Sequence, residues 1–160
     1  MNFDLTDEQN LIKKTAREFA VKELLPQAIE RDHKKIWPKE AVDKMANLGF
    51  MGMMVNNNWD GGGMDTISYA IAMEEIARVD ASAAVIMSVN NSLVCYLLEK
   101  FGSEFIKEKY LKDLAKGKFL GAFSLSEPQS GSDASNMNTT AKKDRDYYII
   151  NGLKIGLRMD

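Results

Sequence analysis

The stretch GKFLGAFSL, residues 117–125, decides the fold class, because the spacing of apolar residues changes there. Before Gly117, apolar side chains recur every three to four residues, which is typical of amphipathic helices. After it, apolar and aromatic residues come in short runs, and Phe119 to Leu125 is predicted to form a strand. The chain is therefore predicted to be an α+β protein in which a helical domain, residues 1–117, precedes the start of a β domain, residues 118–160.

Six helices are predicted before this change of spacing. The first begins at a capping box of Thr6 and Gln9, in which the hydroxyl accepts a backbone N–H and the amide reaches back. The fifth, from Ala81 to Phe101, is apolar on nearly all sides, so we expect it to be central and buried. The other predicted helix caps are Asp65, Asp80 and Ser103.

Two more strands are predicted, at residues 138–142 and 147–150, joined by a charged turn. Asn151-Gly152 is a strong signal for a two-residue hairpin turn, yet only eight residues follow it. A sheet fragment this short leaves open edges and too little surface to close a barrel or sandwich. We therefore expect the chain to stop inside its second, antiparallel β domain, which would be incomplete.

Composition and charge exclude several classes of protein. A net charge of −2 leaves no broad basic surface, so nucleic acid is not an expected partner. One cysteine and one histidine exclude an internal disulfide and the usual zinc sites, so no metal is expected. The N-terminus lacks the basic and apolar regions of a signal peptide, so none is expected. The sequence has no run of about 20 apolar residues, so no membrane span is expected either. The expected location is cytoplasmic.

The segment LSEPQSGSD, residues 125–133, is where chemistry is expected. It leaves a predicted strand and enters a run of small hydroxyl and glycine residues. Gly131 can turn where a side chain would clash, and amides and hydroxyls at Ser130 and Ser132 could hold a phosphate. The same composition is typical of a tight surface loop rich in turn formers, so composition alone leaves both interpretations open.

The order of short motifs along the chain resembles the acyl-CoA dehydrogenase family. The family's middle-domain signature, approximately A-x-x-(L/T)-(S/T)-E-P-x-x-G-S-D, matches residues 122–133. The other matching segments, in order, are FDLTDEQ at 3–9, LGFMGM at 48–53, WDGGGMD at 59–65, MEEIAR at 73–78, FGS at 101–103, KYL at 109–111 and YIINGLK at 148–154. The resemblance covers residues 2–155 collinearly.

This resemblance implies an FAD-dependent oxidoreductase of fatty acid metabolism, which removes two hydrogens from the α and β carbons of an acyl-CoA thioester. A glutamate takes the α proton, the flavin accepts the β hydrogen as hydride, and preorganised donors polarise the thioester oxygen. The resemblance also implies an electron-transfer flavoprotein as electron acceptor and a homo-oligomeric assembly.

The residues implied to contact FAD all lie in the signature: Phe123, Ser124, Leu125, Ser126, Gly131 and Ser132. Ser126 would hydrogen-bond the isoalloxazine ring. Gly131 and Ser132 would approach the pyrophosphate, and Ser132 would also contact the CoA moiety.

The acyl pocket is implied to involve the fourth and fifth helices. The candidate lining residues are Val85, Ser88, Val89 and Ser92, although ordinary core packing explains the same positions. The string MSVNNS, residues 87–92, resembles short-chain or branched-chain members of the family. A short or branched acyl-CoA is therefore the expected substrate.

The last residues depart from the family pattern, which continues N-G-x-K-(I/M)-W-I-T-N-G. Here Ile155 is followed by GLRMD, and deleting one base of the tryptophan codon from a message for IWITNG gives IGLRMD. We hypothesise a one-base frameshift after Ile155. The family's catalytic glutamate lies in its C-terminal helical domain, so no catalytic residue is expected in this chain. Glu74 and Glu75 are interpreted as helix-face or ion-pair residues, and Glu127 as a turn residue.

Three functions stay open on the sequence. The chain is the N-terminal portion of an acyl-CoA dehydrogenase, a non-catalytic truncated remnant, or a helical interaction module that kept the fold and lost the chemistry. An active enzyme predicts yellow, FAD-containing protein, whereas both alternatives predict colourless protein. The 160 residues alone are expected to be inactive, because they would form only part of the FAD cavity.

Overall fold

The computed structural model describes residues 4–156, which fall into two compact units. The first unit ends at Gly121 and the second begins at Ala122. The first is helical and the second contains an antiparallel sheet, so the predicted α+β class is confirmed. The domain boundary at 117/118 stays a prediction. The first residue of the FDLTDEQ motif and the proposed frameshifted tail after Gly156 lie outside the described residues.

The first unit is built from α-helical segments that follow one another closely. They are α1 (Asp7–Phe19), α2 (Ala28–Lys34), α3 (Lys39–Asn47), α4 (Thr66–Ala77), α5 (Ala81–Ser88), α6 (Tyr96–Phe101), α7 (Glu104–Ile106) and α8 (Lys112–Ala115). Wider, π-type turns at Ala20–Leu24, Val89–Cys95 and Lys107–Leu111 extend or join several of them. Short 3-10 turns lie at Leu25–Gln27 and Asn57–Trp59 in this unit, and at Ala134–Asn136 in the second unit.

The helix starts follow the predicted caps. The Thr6 hydroxyl accepts a hydrogen bond from the Gln9 amide, and the Gln9 side chain accepts one from the Thr6 amide, both at 3.1 Å. Asp65, Asp80 and Ser103 each accept a hydrogen bond from the backbone N–H three residues further on. These side chains satisfy N–H groups that a helix leaves free at its start, which fixes where each helix begins.

The core of the first unit lies between α1 and α4 and extends to the loop that follows α3. Ala16 and Phe19 of α1 and Ile76 of α4 are buried, and the rings of Phe19 and Phe50 meet edge to face at 6.0 Å. Methionine fills much of the remaining space: Met45, Met51, Met53 and Met87 are fully buried or nearly so. Flexible thioether side chains suit such irregular gaps.

The helical run Ala81–Phe101 consists of α5, the π-type turn Val89–Cys95 and α6. By length and composition alone, this run could cross a membrane. The prediction that no segment of the chain is long and apolar enough for a span was therefore wrong. The prediction that it is central and buried is confirmed for one face only. Met87 and Cys95 are fully buried, whereas Val85, Tyr96 and Phe101 are exposed. Its apolar residues cover the core on one side and leave a partly apolar face on the other.

Two buried asparagines show that this run is a core helix of the first unit. The Asn90 amide donates to the carbonyls of Met51 and Leu114, at 2.7 and 3.0 Å, and its oxygen accepts from the Gly121 N–H at 2.9 Å. The Asn91 amide donates to the Phe50 carbonyl at 2.8 Å. The Asn91 side-chain oxygen has no hydrogen-bond partner among the described residues. The two side-chain nitrogens and the Asn90 oxygen are satisfied, which is the usual condition for a polar group in a core.

The second unit contains one antiparallel hairpin, formed by β1 (Thr140–Asp144) and β2 (Tyr147–Asn151). Thr140 pairs with Asn151, and Asp144 pairs with Tyr147 across the charged turn. Arg145 has a positive φ of 53° in that turn. The two predicted strands and the turn between them are confirmed. Every residue of both strands is exposed.

Two local predictions for this region were wrong. Phe119–Leu125 forms no ladder in the described part of the chain, because no neighbouring segment supplies a run of partners. Asn151-Gly152 does not open a new hairpin. The chain continues so that the Ile155 amide donates to the Ser126 carbonyl at 2.9 Å. A side chain at Gly152 would overlap Thr139, so packing explains this glycine.

Candidate functional site

Residues 122–126 form an unpaired run of backbone in the second unit. None of their amide N–H groups donates a hydrogen bond to another described residue. Two of their carbonyls are occupied: Leu125 accepts from the Lys154 ammonium at 2.9 Å, and Ser126 accepts from the Ile155 amide at 2.9 Å. The backbone of this run is therefore held in place through the carbonyls of Leu125 and Ser126, while its amide N–H groups stay free to donate.

The side chains of this run are those predicted to line a flavin. Phe123 and Leu125 are 38% and 37% exposed, so apolar surface is available on both. The hydroxyl of Ser124 is buried and has no hydrogen-bond partner among the described residues, while Ser126 is half-buried. An orphaned buried hydroxyl beside free amides and exposed aromatic surface fits a ring system edged with polar atoms.

Glu127 is the buried centre of the signature segment. Its carboxylate is almost fully buried and accepts four hydrogen bonds. The donors are the Lys154 ammonium at 2.8 Å, the Asn138 amide at 2.6 Å, the Thr139 amide at 3.1 Å and the Gln129 side chain at 2.8 Å. The interpretation of Glu127 as a simple turn residue was therefore too weak.

The electrostatics of Glu127 follow from these donors. Hydrogen bonds from Lys154, and then from Thr139 and Asn138, hold the pKa of the Glu127 carboxyl well below its usual range. Each donor stabilises the ionised form, which outweighs the cost of burying the charge. Glu127 is thus a permanent anion near neutral pH and is unsuited to act as a general base.

The small residues of the turn after Glu127 differ in burial and in hydrogen bonding. Ser130 is buried, its hydroxyl donates to the Asp133 carbonyl at 2.6 Å, and its backbone pairs with Glu127. It is therefore committed to the turn, which favours for Ser130 the turn-former interpretation that the sequence left open. Gly131 and Ser132 are exposed. A side chain at Gly131 would meet no described atom within 4 Å, so its own surroundings do not require glycine.

The candidate acyl residues lie in the first unit, on consecutive turns of the run that starts at Ala81. Val85, Ser88 and Val89 share one helix face, because they are spaced by three and four residues. Val85 is 60% exposed, while Ser88 and Val89 are half-buried. The same face continues to Ser92, whose hydroxyl lies 2.8 Å from the hydroxyl of the buried Tyr69.

The predicted site residues thus form two groups, each brought together within its own unit. Two features were missed from sequence: the contact of Lys154 with Glu127, and the contact of Tyr69 with Ser92. Both join segments distant along the chain, so no local spacing signals them. Across the described residues, no three His, Cys, Asp or Glu side chains are grouped in a way that could hold a metal ion.

Comparisons with known proteins find relatives that cover most of the chain. A family model described as "Acyl-CoA dehydrogenase, N-terminal domain" matches residues 6–118. The short-chain specific acyl-CoA dehydrogenase of Clostridium acetobutylicum is 43% identical over 155 residues, which cover 97% of this chain and 41% of that protein. The structure of butyryl-CoA dehydrogenase from Megasphaera elsdenii is 42% identical with a TM-score of 0.86, covering 95% of this chain and 41% of that one.

A structure described as the FAD complex of PigA is also similar, with 31% identity and a TM-score of 0.91, covering 97% of this chain and 41% of that chain. The chain belongs to the acyl-CoA dehydrogenase family, a family of flavoprotein oxidoreductases. It spans about two fifths of the length of the relatives named here, since 41% of each is covered.

Proposed function

We propose that the chain supplies the flavin-contacting stretch and part of the acyl pocket of an FAD-dependent dehydrogenase that acts on short acyl-CoA thioesters. The observation that carries this proposal is the run of residues 122–126, with free amides, exposed Phe123 and Leu125, and the orphaned Ser124 hydroxyl. When bound, FAD would supply hydride acceptance, which no amino-acid side chain provides.

The residues of the second unit would bind and orient the cofactor. The amides of residues 124–126 and the Ser126 hydroxyl would donate to the polar edge of the isoalloxazine ring. Phe123 and Leu125 would exclude water from its surface. The exposed Gly131 and Ser132 would lie against the pyrophosphate, where backbone N–H groups suit an anion.

The face of Val85, Ser88 and Val89 would contact the acyl chain. A short substrate is supported by the names of the similar proteins, which are short-chain specific acyl-CoA dehydrogenase and butyryl-CoA dehydrogenase. The electrons would leave to an electron-transfer flavoprotein, and the assembly would be a homo-oligomer, as the resemblance implies.

None of Glu74, Glu75 and Glu127 is proposed as the base that takes the α proton. Glu75 is held by both nitrogens of the Arg17 guanidinium that face it, each at 2.8 Å. Glu127 is held by four donors. Glu74 is exposed on α4. We propose that this chain binds and orients the cofactor and substrate, and that proton abstraction depends on a group outside these three.

Titration of the purified chain with FAD, followed by quenching of flavin fluorescence, tests the proposal. We expect saturable quenching, with riboflavin binding more weakly because it lacks the pyrophosphate. A chain that quenches neither flavin would contradict the proposal and favour a helical interaction module. Binding of riboflavin and FAD with equal affinity would refute the roles of Gly131 and Ser132.

A further inference from the structure

We infer that Lys154 and Glu127 are positioning residues for the flavin-contacting stretch, and that they aim the Ser126 amide at the ring. The inference rests on the proposed function, because it assigns a role toward the same cofactor. It concerns two side chains to which the resemblance assigned no role toward FAD: a lysine beyond β2 and the carboxylate buried beneath the turn.

All three N–H donors of the Lys154 ammonium have acceptors. Its ammonium lies 2.8 Å from a Glu127 carboxylate oxygen, 2.9 Å from the Leu125 carbonyl and 3.3 Å from the Met137 sulfur. An ammonium has three N–H donors, and here each has an acceptor. The lysine head is therefore fixed in position, unlike a lysine that extends into solvent.

The geometry of the peptide bond sets the direction of the Ser126 N–H. In a trans peptide, the carbonyl of one residue and the N–H of the next point in opposite directions within one plane. Since Lys154 holds the Leu125 carbonyl, the Ser126 N–H points away from Lys154. The Ile155 amide holds the next carbonyl, that of Ser126, so the following peptide plane is fixed as well.

Polarisation of the peptide group adds to this orientation. A cation bonded to a carbonyl oxygen draws electron density through the peptide group and strengthens the N–H on its other side. Lys154 would thus make Ser126 a better donor to the flavin as well as an oriented one. Glu127 keeps this cation in place without competing for the amide, because its own acceptors are taken by Lys154, Asn138, Thr139 and Gln129.

The test compares four variants of the full chain by FAD titration and by amide hydrogen exchange. K154M keeps the aliphatic stem and removes the cation, K154R keeps a cation, and E127Q keeps the shape and removes the anion. K143M is the matched control, since Lys143 is an exposed lysine of β1 in the same unit.

We expect K154M and E127Q to bind FAD about tenfold more weakly, which is the effect of one lost charge-assisted hydrogen bond. With saturating FAD, the Ser126 amide should also exchange faster in both variants than in the wild type. K154R should recover most of the affinity, and K143M should match the wild type. An accompanying blue or red shift of the bound-flavin absorption band in K154M would report the altered donor.

Unchanged FAD affinity and unchanged Ser126 exchange in K154M would overturn the inference and leave the proposed function intact. Loss of exchange protection throughout β1 and β2 in K154M and K154R alike would also overturn it, because the pair would then only hold the unit together. Failure of the wild type to bind FAD would refute the proposed function, and the positioning role with it.

Discussion

Arg17 of α1 binds the carboxylate of Glu75 of α4 through two parallel hydrogen bonds, each 2.8 Å long. Glu75 is nearly fully buried, while the Arg17 side chain is half exposed. Bidentate geometry of this kind is the strongest form of carboxylate recognition by arginine. The pair therefore fixes the contact between the two helices that enclose the core.

Replacing Glu75 by glutamine should lower the free energy of unfolding by about 1–2 kcal/mol, because the charge-assisted bonds to Arg17 are lost. Chemical denaturation at pH 7 measures the change. E74Q is the matched control, since Glu74 is the exposed neighbour on the same helix, and it should leave stability unchanged. Equal effects of the two substitutions would contradict a structural role for the pair.

The same pair predicts a pH dependence. The Arg17 hydrogen bonds lower the pKa of the Glu75 carboxyl below its ordinary value of 4.5. A carboxyl whose pKa is lower in the folded state stabilises that state above the unfolded pKa and loses this contribution as pH falls toward the folded pKa. Below pH 4.5 the wild type should lose stability more steeply than E75Q, as thermal melts at graded pH would show. Parallel profiles would refute this.

Asn90 is predicted to be essential for the packing of the first unit. Its substitution by alanine leaves the Met51 carbonyl and the Gly121 amide without the partner they have in the folded chain. It also removes one of the bonds to the Leu114 carbonyl, which still accepts from the Gly117 amide at 3.0 Å. We expect the free energy of unfolding, measured with denaturant, to fall by about 3 kcal/mol, because buried polar groups lose hydrogen bonds. N10A should cost little, because the exposed Asn10 makes one long bond of 3.3 Å. A loss in N90A no larger than in N10A would contradict the assignment.

Cys95 should be chemically inert in the folded chain. Burial raises the pKa of its thiol to about 12, so almost no thiolate exists at pH 8. Native protein should react with a thiol reagent orders of magnitude more slowly than protein in denaturant. Rapid labelling of the native chain would show that the helical run Ala81–Phe101 opens far more readily than its packing indicates.

A bulkier side chain at Val89 should interfere with acyl-CoA binding. V89F extends the half-buried face shared with Ser88, so we expect butyryl-CoA to bind about tenfold more weakly in calorimetry while the melting temperature changes little. I67F is a control, because Ile67 is exposed at the start of α4. If V89F and I67F bind butyryl-CoA equally well, the face lines no pocket and the core-packing interpretation of these residues is preferred.

Local signals predicted the helix starts and the hairpin. The Thr6 capping box, the acidic caps and the charged turn between β1 and β2 each depend on residues within four positions of one another. The strand predicted at Phe119–Leu125 was wrong because a strand is defined by a partner, and no local pattern reveals whether one lies alongside.

The candidate site divides in the same way. The family signature predicted residues 122–133 as the site, because its residues are contiguous in the sequence. The buried state of Glu127 depends on Lys154, which is 27 residues away, and the fixed Leu125 carbonyl depends on the same lysine at a separation of 29. Contacts of this range come from the fold, so they required the structure.

The proposed function requires the free amides of residues 124–126 to contact a flavin ring. Amide hydrogen exchange of the full chain, with and without saturating FAD, tests it most directly. We expect slower exchange at Ser124, Leu125 and Ser126 on adding FAD, with the β1–β2 hairpin unchanged. Unaltered exchange across this run, while flavin fluorescence shows that FAD is bound elsewhere, would contradict it.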